Sequence, residues 1–365
     1  MRVLGFMTGT SLDAVDMAVI ETDGREIAAF GPAGEQDLTE AARAIVMQAT
    51  VEARGWPRGS APPPSFAAAS AAVAREHFEA AEAFLRANGM RWSDLDLIGM
   101  HGQTVLHERP KAGARGRTVQ LGDAAWLAKQ ARVRVAHDFR AADVAAGGQG
   151  APIAPIYHAA LARRAGLEAP LTVLNLGGVA NVTMIADGEL TAFDTGPANG
   201  MIDQWLQAKT GARYDVDGRL AAAGAVDDAA LAVFLRHPYF AETGPKSLDR
   251  FDFALDPVAH LSLEDGAATL TAFAAEALAH ALRGRAGALM IACGGGRRNP
   301  ALMAAIRART GLTVKAAEDV GWRGDSVEAE AIAFLAARRV NDLPITFPGT
   351  TGVAAPMTGG RIVEP

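Results

Sequence analysis

Asp194 closes an apolar run inside FDTGPANGMID (193–203) and is followed by a tight turn and a helical stretch. A carboxylate held there by short backbone segments suits a general base, which needs fixed geometry more than a large pKa shift. An Asx-turn or a helix cap accounts equally well for an Asp at that place. MTGTSLDAVD (7–16) is a Gly-Thr-Ser turn between two apolar runs. Its backbone N–H groups and hydroxyls could meet a phosphate with no large side chain in the way. Asp13 and Asp16 could hold Mg²⁺ directly or through water. Taken alone, the same string reads as an ordinary hairpin turn. No Gly-Lys-Ser/Thr string occurs in the chain, so a nucleotide site here is not a P-loop.

LNLGGVANVT (174–183) is the counterpart turn in the second half, with Gly177 and Gly178 able to approach phosphate oxygens. Gly pairs are common in hairpins, and the weight comes from two such turns at equivalent places. CGGGRRN (293–299) gives a strand end, a three-Gly bend (Gly294, Gly295, Gly296) and a helix start, where a flat ring such as adenine could lie on the backbone. Asn299 breaks the dinucleotide fingerprint, and Cys293 reads as a buried packing residue. In IGMHGQTVLH (98–107) two histidines lack a close third ligand, and Gln103 reads as a rim residue or a polar substrate contact. In GWRGDSVEAEAIAF (321–334) Asp325 and Glu328 have the spacing of a capping box, although Glu328 could also face a ligand.

These motifs need α/β layers to hold them. Residues 2–30 and 171–196 share one plan: a strand, a small-residue turn, and two further strands. Gly9 and Gly177 lie 168 positions apart, the mark of a long-period duplication. The spacing predicts helices over 38–54, 66–88, 123–132, 201–209, 263–283, 300–309 and 326–340, alternating with strands at 26–30, 95–102, 133–137, 288–296 and 312–316. The expected organisation is a domain over 1–140, a second over 141–341, and an irregular tail over 342–365 that packs back on the body. The two halves are expected to face one another across a central nucleotide cleft.

The chain has 365 residues, half of them hydrophobic, about a fifth charged, and a formal charge of −6. That balance is globular, and the acidic surplus argues against a nucleic-acid partner. One cysteine excludes a disulfide framework and a Cys-cluster metal site. No basic leader precedes an apolar stretch, and no run approaches ~18 apolar residues, so neither export nor membrane insertion is expected. The expected location is cytoplasmic.

The chain resembles anhydro-N-acetylmuramic acid kinases, a family of the actin/hexokinase/Hsp70-like ATPase superfamily. The resemblance is carried by MTGTSLDAVD (7–16), GMHGQTVLH (99–107), VQLGDAAWLA (119–128), DFRAADVAAGGQGAP (138–152), NLGGVANVT (175–183), FDTGPANGMID (193–203), PKSLDRFDF (245–253), CGGGRRN (293–299) and DSVEAEAIAF (325–334). These stand in the family's order and span nearly the whole chain. Departures from the usual wording fall at Thr8, Ala14 and Ala198. They bear on loop shape and leave the polar residues intact.

The resemblance implies a two-domain actin-like (ribonuclease H-like) ATPase fold using ATP and Mg²⁺. It further implies hydrolytic opening and O6 phosphorylation of 1,6-anhydro-N-acetylmuramic acid, a peptidoglycan-recycling fragment. Asp194 falls on the family's general base. Gly9, Thr10, Ser11, Leu12, Asp13, Ala14, Val15 and Asp16 fall on its ATP loop, with Asn175, Gly177, Gly178, Gly294, Gly295 and Gly296 as further nucleotide contacts. Glu328, Gln103 and Gln149 are the expected sugar contacts, the direct Mg²⁺ ligands stay open, and a homodimer is implied. The rival readings are an ordinary hexose or amino-sugar kinase, a two-carboxylate glycosidase working without ATP, and a non-catalytic actin-like nucleotide-binding protein.

Overall fold

A computed structural model describes the chain except for residues 10, 11, 111, 112, 187, 249–251, 286 and 288. Two compact units emerge, Met1–Arg164 with Ser326–Pro365, and Ala165–Asp325. Residues 141–164 and 326–341, expected with the second half, therefore belong with the first.

In the first unit the strands are β1 (Arg2–Thr8), β2 (Ala14–Thr22), β3 (Ile27–Asp37), β4 (Leu97–Met100), β5 (Gln103–Glu108), β6 (Arg117–Leu121) and β7 (Val135–His137). Its main sheet runs β7-β4-β1-β2-β3, with β1, β4 and β7 parallel and β2 antiparallel to both neighbours. The C-terminal strand Arg361–Val363 adds antiparallel to β7, so the expected tail is partly ordered as sheet. β3 runs seven residues past its expected end at residue 30. The Gly31-Pro32-Gly34 stretch reads as a breaker, yet an edge strand tolerates Pro, and a register shift at Ala18/Ile20 absorbs it. β5 and β6 form a separate hairpin that the sequence reading did not foresee.

The helix Val327–Val340 lies against β1 and β4 because two glycines make room for it. Gly5 and Gly99 are cross-strand partners. A Cβ on Gly5 would stand 2.0 Å from Ala329 O, and one on Gly99 would stand 2.6 Å from Ile332 O. Ala329, Ala333 and Ala336 complete the close approach, and this seat fixes where the helix's first turn, with Glu328, must lie. The helices Glu40–Gly55 and Ser65–Ala87 bury Val46, Ala49, Phe66, Val73 and Phe84 in a core shared with Leu4, Phe6 and Ile98.

The second unit repeats the plan with β8 (Leu171–Leu176), β9 (Val179–Ala186), β10 (Glu189–Pro197), β11 (Leu289–Cys293) and β12 (Thr313–Ala316). The order β12-β11-β8-β9-β10 matches β7-β4-β1-β2-β3 strand for strand, with the same directions. This is a ribonuclease H-like arrangement of strands, present twice. The helix Leu263–Leu282 starts on a Ser262 cap, whose Oγ accepts from Asp265 N at 3.0 Å. Trp205 lies flat on Gly266 of that helix, where a Cβ would stand 2.4 Å from the indole.

Candidate active site

β10 ends in a bulge. Asp194 pairs with Asn181 and Gly196 with Ala180, which leaves Thr195 unopposed and bends the strand. Asp194 is buried at this bend and is held from three directions. Its N–H donates to Lys246 O at 2.9 Å, Leu248 N–H donates to its Oδ2 at 2.7 Å, and the Tyr239 hydroxyl donates to its carbonyl. Lys246 in turn donates to Tyr239 O and Glu242 O, with its ammonium 4.1 Å from the Tyr239 ring. The following helix, Asn199–Thr210, has Ala198 at its N-cap and no side-chain cap. Asp194 is therefore no helix cap; its carboxylate is fixed by a segment 54 residues further on.

Register puts the other polar residues of this unit beside it. Cys293, Asn175, Asn181 and Asp194 are successive cross-strand partners on β11, β8, β9 and β10. Partners in such a row project to one face, roughly 4.8 Å apart per strand. β8 and β11 are parallel neighbours, and their C-terminal ends lead into Gly177-Gly178 and Gly294–Gly296. The carboxyl ends of parallel strands are where open α/β sheets receive ligands. Amides of Ala198, Asn199 and Gly200 donate to the carbonyls of Gly178, Gly177 and Gly178, tying the first turn to a helix N-terminus. In the second turn Gly294 has φ +76° and a Cβ there would stand 2.4 Å from Asn175 Oδ1, whereas a Cβ on Gly295 would meet nothing within 4 Å. The middle residue therefore has open space on its Cα side.

That turn is braced by Arg297, whose side chain is 4% exposed. The guanidinium donates to Glu318, to Asp325 Oδ1 at 2.8 Å and to Gly294 O at 3.0 Å. Burial opposes its charge, but the bonds to Asp325 and Glu318 outweigh that and raise its pKa, while both carboxylates are held below their ordinary range. Asp325 is thus an ion-pair partner and not the expected helix cap. The helix Val327–Val340 has Ser326 at its N-cap with no side-chain bond, so the capping box with Glu328 does not form. Charge-assisted bonds to two arginines outcompete a single cap bond. Cys293 is buried with its thiol toward Leu174 O, as a packing residue.

In the first unit the equivalent strand ends carry Gly9 after β1 and Gln103 after β4. Gln103 Nε2 donates to Gly9 O at 3.3 Å, and its buried Oε1 has no hydrogen-bond donor among the described residues. Thr10 and Ser11 lie outside the described residues. Leu12 is buried at φ +60°, a conformation that concentrates at functional loops, and its N–H returns to Gly9 O. Asp13 is exposed, with its carbonyl accepting from Leu38 N; Ala14 opens β2, Val15 is buried and Asp16 half-buried opposite Met7. Thr8 meets buried His77 at 2.9 Å (Oγ1 to Nε2), and His77 stacks on Phe6. His101 donates Nδ1–H to Gly102 O and accepts from Arg140 Nε at 2.9 Å, the pattern of a neutral, structural imidazole. Gln149 is half-buried, its N–H donating to Thr351 O at 2.7 Å, and Glu328 is half-buried in the first turn of its helix.

Comparison with known proteins gives this geometry its context. The family model for anhydro-N-acetylmuramic acid kinase matches residues 1–365. The chain belongs to that family. A relative of the same name from Caulobacter vibrioides is 64% identical across 100% of this chain and 99% of its own, and one from Phenylobacterium zucineum is 61% identical across both chains in full. One from Rhodopseudomonas palustris is 48% identical over 369 residues. Among solved structures, component A of the Acidaminococcus fermentans (R)-2-hydroxyglutaryl-CoA dehydratase covers 93% of this chain and 99% of its own at 14% identity and a TM-score of 0.48.

As a member of the anhydro-N-acetylmuramic acid kinase family, the protein is an ATP-dependent sugar kinase. Of the departures from family wording, neither Ala14 nor Ala198 has a positive φ, and Ala198 stands at φ −127° and ψ −121°, outside the helical and extended regions. Residues that sequence reasoning missed are those acting through others, namely Tyr239, Lys246 and Leu248 behind Asp194, and Arg297 behind the three-Gly turn. Lys246 and Leu248 stand in PKSLDRFDF and Arg297 in CGGGRRN, motifs that carried no role for these side chains, and Tyr239 lies in no motif at all. Among the described residues no helix is long and apolar enough to cross a membrane, and no three His, Cys, Asp or Glu side chains converge as a metal cage.

Proposed function

We propose that the protein converts 1,6-anhydro-N-acetylmuramic acid, water and ATP into N-acetylmuramic acid 6-phosphate and ADP. Asp194 takes a proton from water as the water oxygen bonds to the anomeric carbon. The bond from that carbon to the bridging oxygen breaks, and its electron pair passes to O6. O6 then bonds to the γ-phosphorus, and ADP leaves. The observation that carries this reading is the clamped carboxylate of Asp194, which suits a base whose task is to orient one water.

Gly9–Asp16 and Gly177-Gly178 serve the phosphates through backbone amides, Asn175 the nucleotide, and Gly294–Gly296 the adenine face. Gln103, whose buried Oε1 has no donor among the described residues, offers it to a sugar hydroxyl or amide donor, since an acceptor buried without a donor costs about 1–3 kcal/mol until a ligand supplies one. Gln149 and Glu328 complete the sugar contacts. Bound Mg²⁺ would supply neutralisation of charge on the transferring phosphoryl group. The exposed Asp13 and half-buried Asp16 are oxygen donors of the right hardness to hold it, directly or through water. The use of ATP and a single buried free cysteine accord with a cytoplasmic enzyme.

The test is ADP release with Mg-ATP in the presence of the anhydro sugar, its open form, or no sugar, with product mass read alongside. Stimulation by the anhydro sugar alone, with a mass gain of water plus phosphoryl, is the expected result. Stimulation by the open sugar instead would make this an ordinary amino-sugar kinase.

A further inference from the structure

The segment Gly147–Gly150 is Gly-Gly-Gln-Gly, a run with high intrinsic backbone freedom. In the folded chain three consecutive amides are captured. Gly148 N donates to Asp143 O at 2.9 Å, Gln149 N to Thr351 O at 2.7 Å, and Gly150 N to Asp143 Oδ1 at 2.7 Å. The Thr351 hydroxyl donates to the other oxygen of the same carboxylate, Asp143 Oδ2, at 2.6 Å. Asp143 is 2% exposed and Thr351 fully buried. There is no slack on the inner side: a Cβ on Gly148 would stand 2.2 Å from Asp143 Oδ1 and 2.7 Å from Val353 Cγ1. Arg140 closes the far end, donating to Gly150 O at 2.7 Å.

Thr351 is itself placed by a folded C-terminal segment. Ile345 and Thr346 bond to Met357, residues 348–351 make a short helical turn, and Arg361–Val363 joins the sheet. We propose that residues 345–357 are a positioning element for the sugar-binding loop, with Asp143 and Thr351 as positioning residues acting through the main chain of Gln149. The inference rests on the reading of Gln149 as a sugar contact. Ordering a glycine-rich loop before the ligand arrives removes an entropy cost from binding. The tether therefore belongs to sugar affinity and not to phosphoryl transfer.

Thr351→Val keeps the side-chain shape and removes the hydroxyl. It should raise KM for the anhydro sugar about tenfold, the scale of one hydrogen bond to a charged group. It should leave kcat and KM for ATP within about twofold on that same scale. Thr351→Ser should behave as wild type. Asp143→Asn should be largely silent, because its Oδ1 can accept from Gly150 N while its amide donates to a rotated Thr351 hydroxyl; Asp143→Ala should match or exceed Thr351→Val. Val353→Ala, which loosens the contact with Gly148 and leaves every hydrogen bond in place, should raise the same KM by a smaller factor and keeps the idea testable if the other variants fold poorly.

Gln149→Ala separates the two layers of the argument. A raised sugar KM in Gln149→Ala with an unchanged one in folded Thr351→Val and Val353→Ala would overturn the positioning role alone. A raised KM in Thr351→Val with none in Gln149→Ala would keep the tether and remove the Gln149 side chain as the contact. Equal increases in the KM values for sugar and ATP would overturn the proposal in favour of a general loss of structure.

Discussion

The main-chain amide of Leu248 donates to Oδ2 of Asp194 across 2.7 Å, so the carboxylate is oriented by a residue from a different part of the chain. The Tyr239 hydroxyl holds the carbonyl of the same residue, and Lys246 O receives its N–H. The main chain and the carboxylate of Asp194 are thus both held by the segment 239–248, the kind of support that preorganised catalysis needs.

Asp194→Asn should preserve this geometry, because the amide oxygen still accepts from Leu248 N–H, while the group can no longer take a proton. Turnover with the anhydro sugar is expected to fall by about 10²–10⁴-fold, the range for a positioned general base. Nucleotide affinity, read by calorimetry, should stay within about threefold, less than the tenfold of one ordinary interaction. Near-normal turnover would sink the assignment of the base.

Neighbouring glycines of the 294–296 turn should respond in opposite ways. Gly294→Ala forces a side chain into φ +76° and against Asn175 Oδ1, so it should cost about 1–3 kcal/mol and lower Tm by several degrees. Gly295→Ala meets no protein atom and should leave Tm unchanged. Its methyl group would instead stand on the surface proposed for adenine, raising KM for ATP several-fold with kcat retained. An unchanged KM for ATP in Gly295→Ala would move the adenine site elsewhere.

Much of this architecture was legible because it is local. Alternating apolar runs and the TGTS and LNLGG turns are short-range pattern, the 168-residue offset is that pattern occurring twice, and each unit carries the repeated sheet they implied. Asp194 was legible as a strand-end carboxylate, but its competing role as a cap was not excluded by anything nearby. The helix N-cap at Ala198 excludes it, and the carboxylate is held instead by Leu248, a contact across 54 residues that no periodicity encodes. Asp325 misled for the same reason: local spacing spells a capping box, and the decisive partner, Arg297, is 28 residues away. The β5–β6 hairpin and the tethering of Gln149 by Thr351 are likewise tertiary facts written in dispersed residues.

Arg297 gives a prediction with a defined pH window. Glu318 and Asp325 have folded pKa values below their ordinary ones, first because of hydrogen bonds from Arg297. A depressed carboxylate contributes stability that is present above its ordinary pKa, near 4, and is lost as pH falls through the depressed folded value. Glu318→Gln with Asp325→Asn should therefore lose Tm relative to wild type at pH 7 and approach it at pH 3. At neutral pH Arg297→Met should cost about 2 kcal/mol, less than for a fully buried pair because both carboxylates are roughly half exposed. Thermal melts at intervals of one pH unit check both statements; curves that stay parallel down to pH 3 would remove the ion pairs from the stability of this turn.

Buried histidines act over a higher pH range, and in the same direction. Burial holds His77 and His101 down to about 3, with the Arg140 charge adding to the effect on His101, and lowers His158 to about 4. Each is neutral in the folded chain, while the unfolded chain takes up a proton below about pH 6.5. Protons therefore favour the unfolded state, and stability should fall as pH drops from about 6.5 toward 4, by up to about 1.4 kcal/mol per pH unit for each such histidine. His77→Gln removes one of these groups and can still meet the Thr8 hydroxyl through its amide. Its stability curve in urea should be flatter than wild type between pH 6 and pH 4, even though loss of the ring stacked on Phe6 lowers it at pH 7. Equal slopes in the two proteins would mean that His77 is already protonated, or already exposed, well above pH 4.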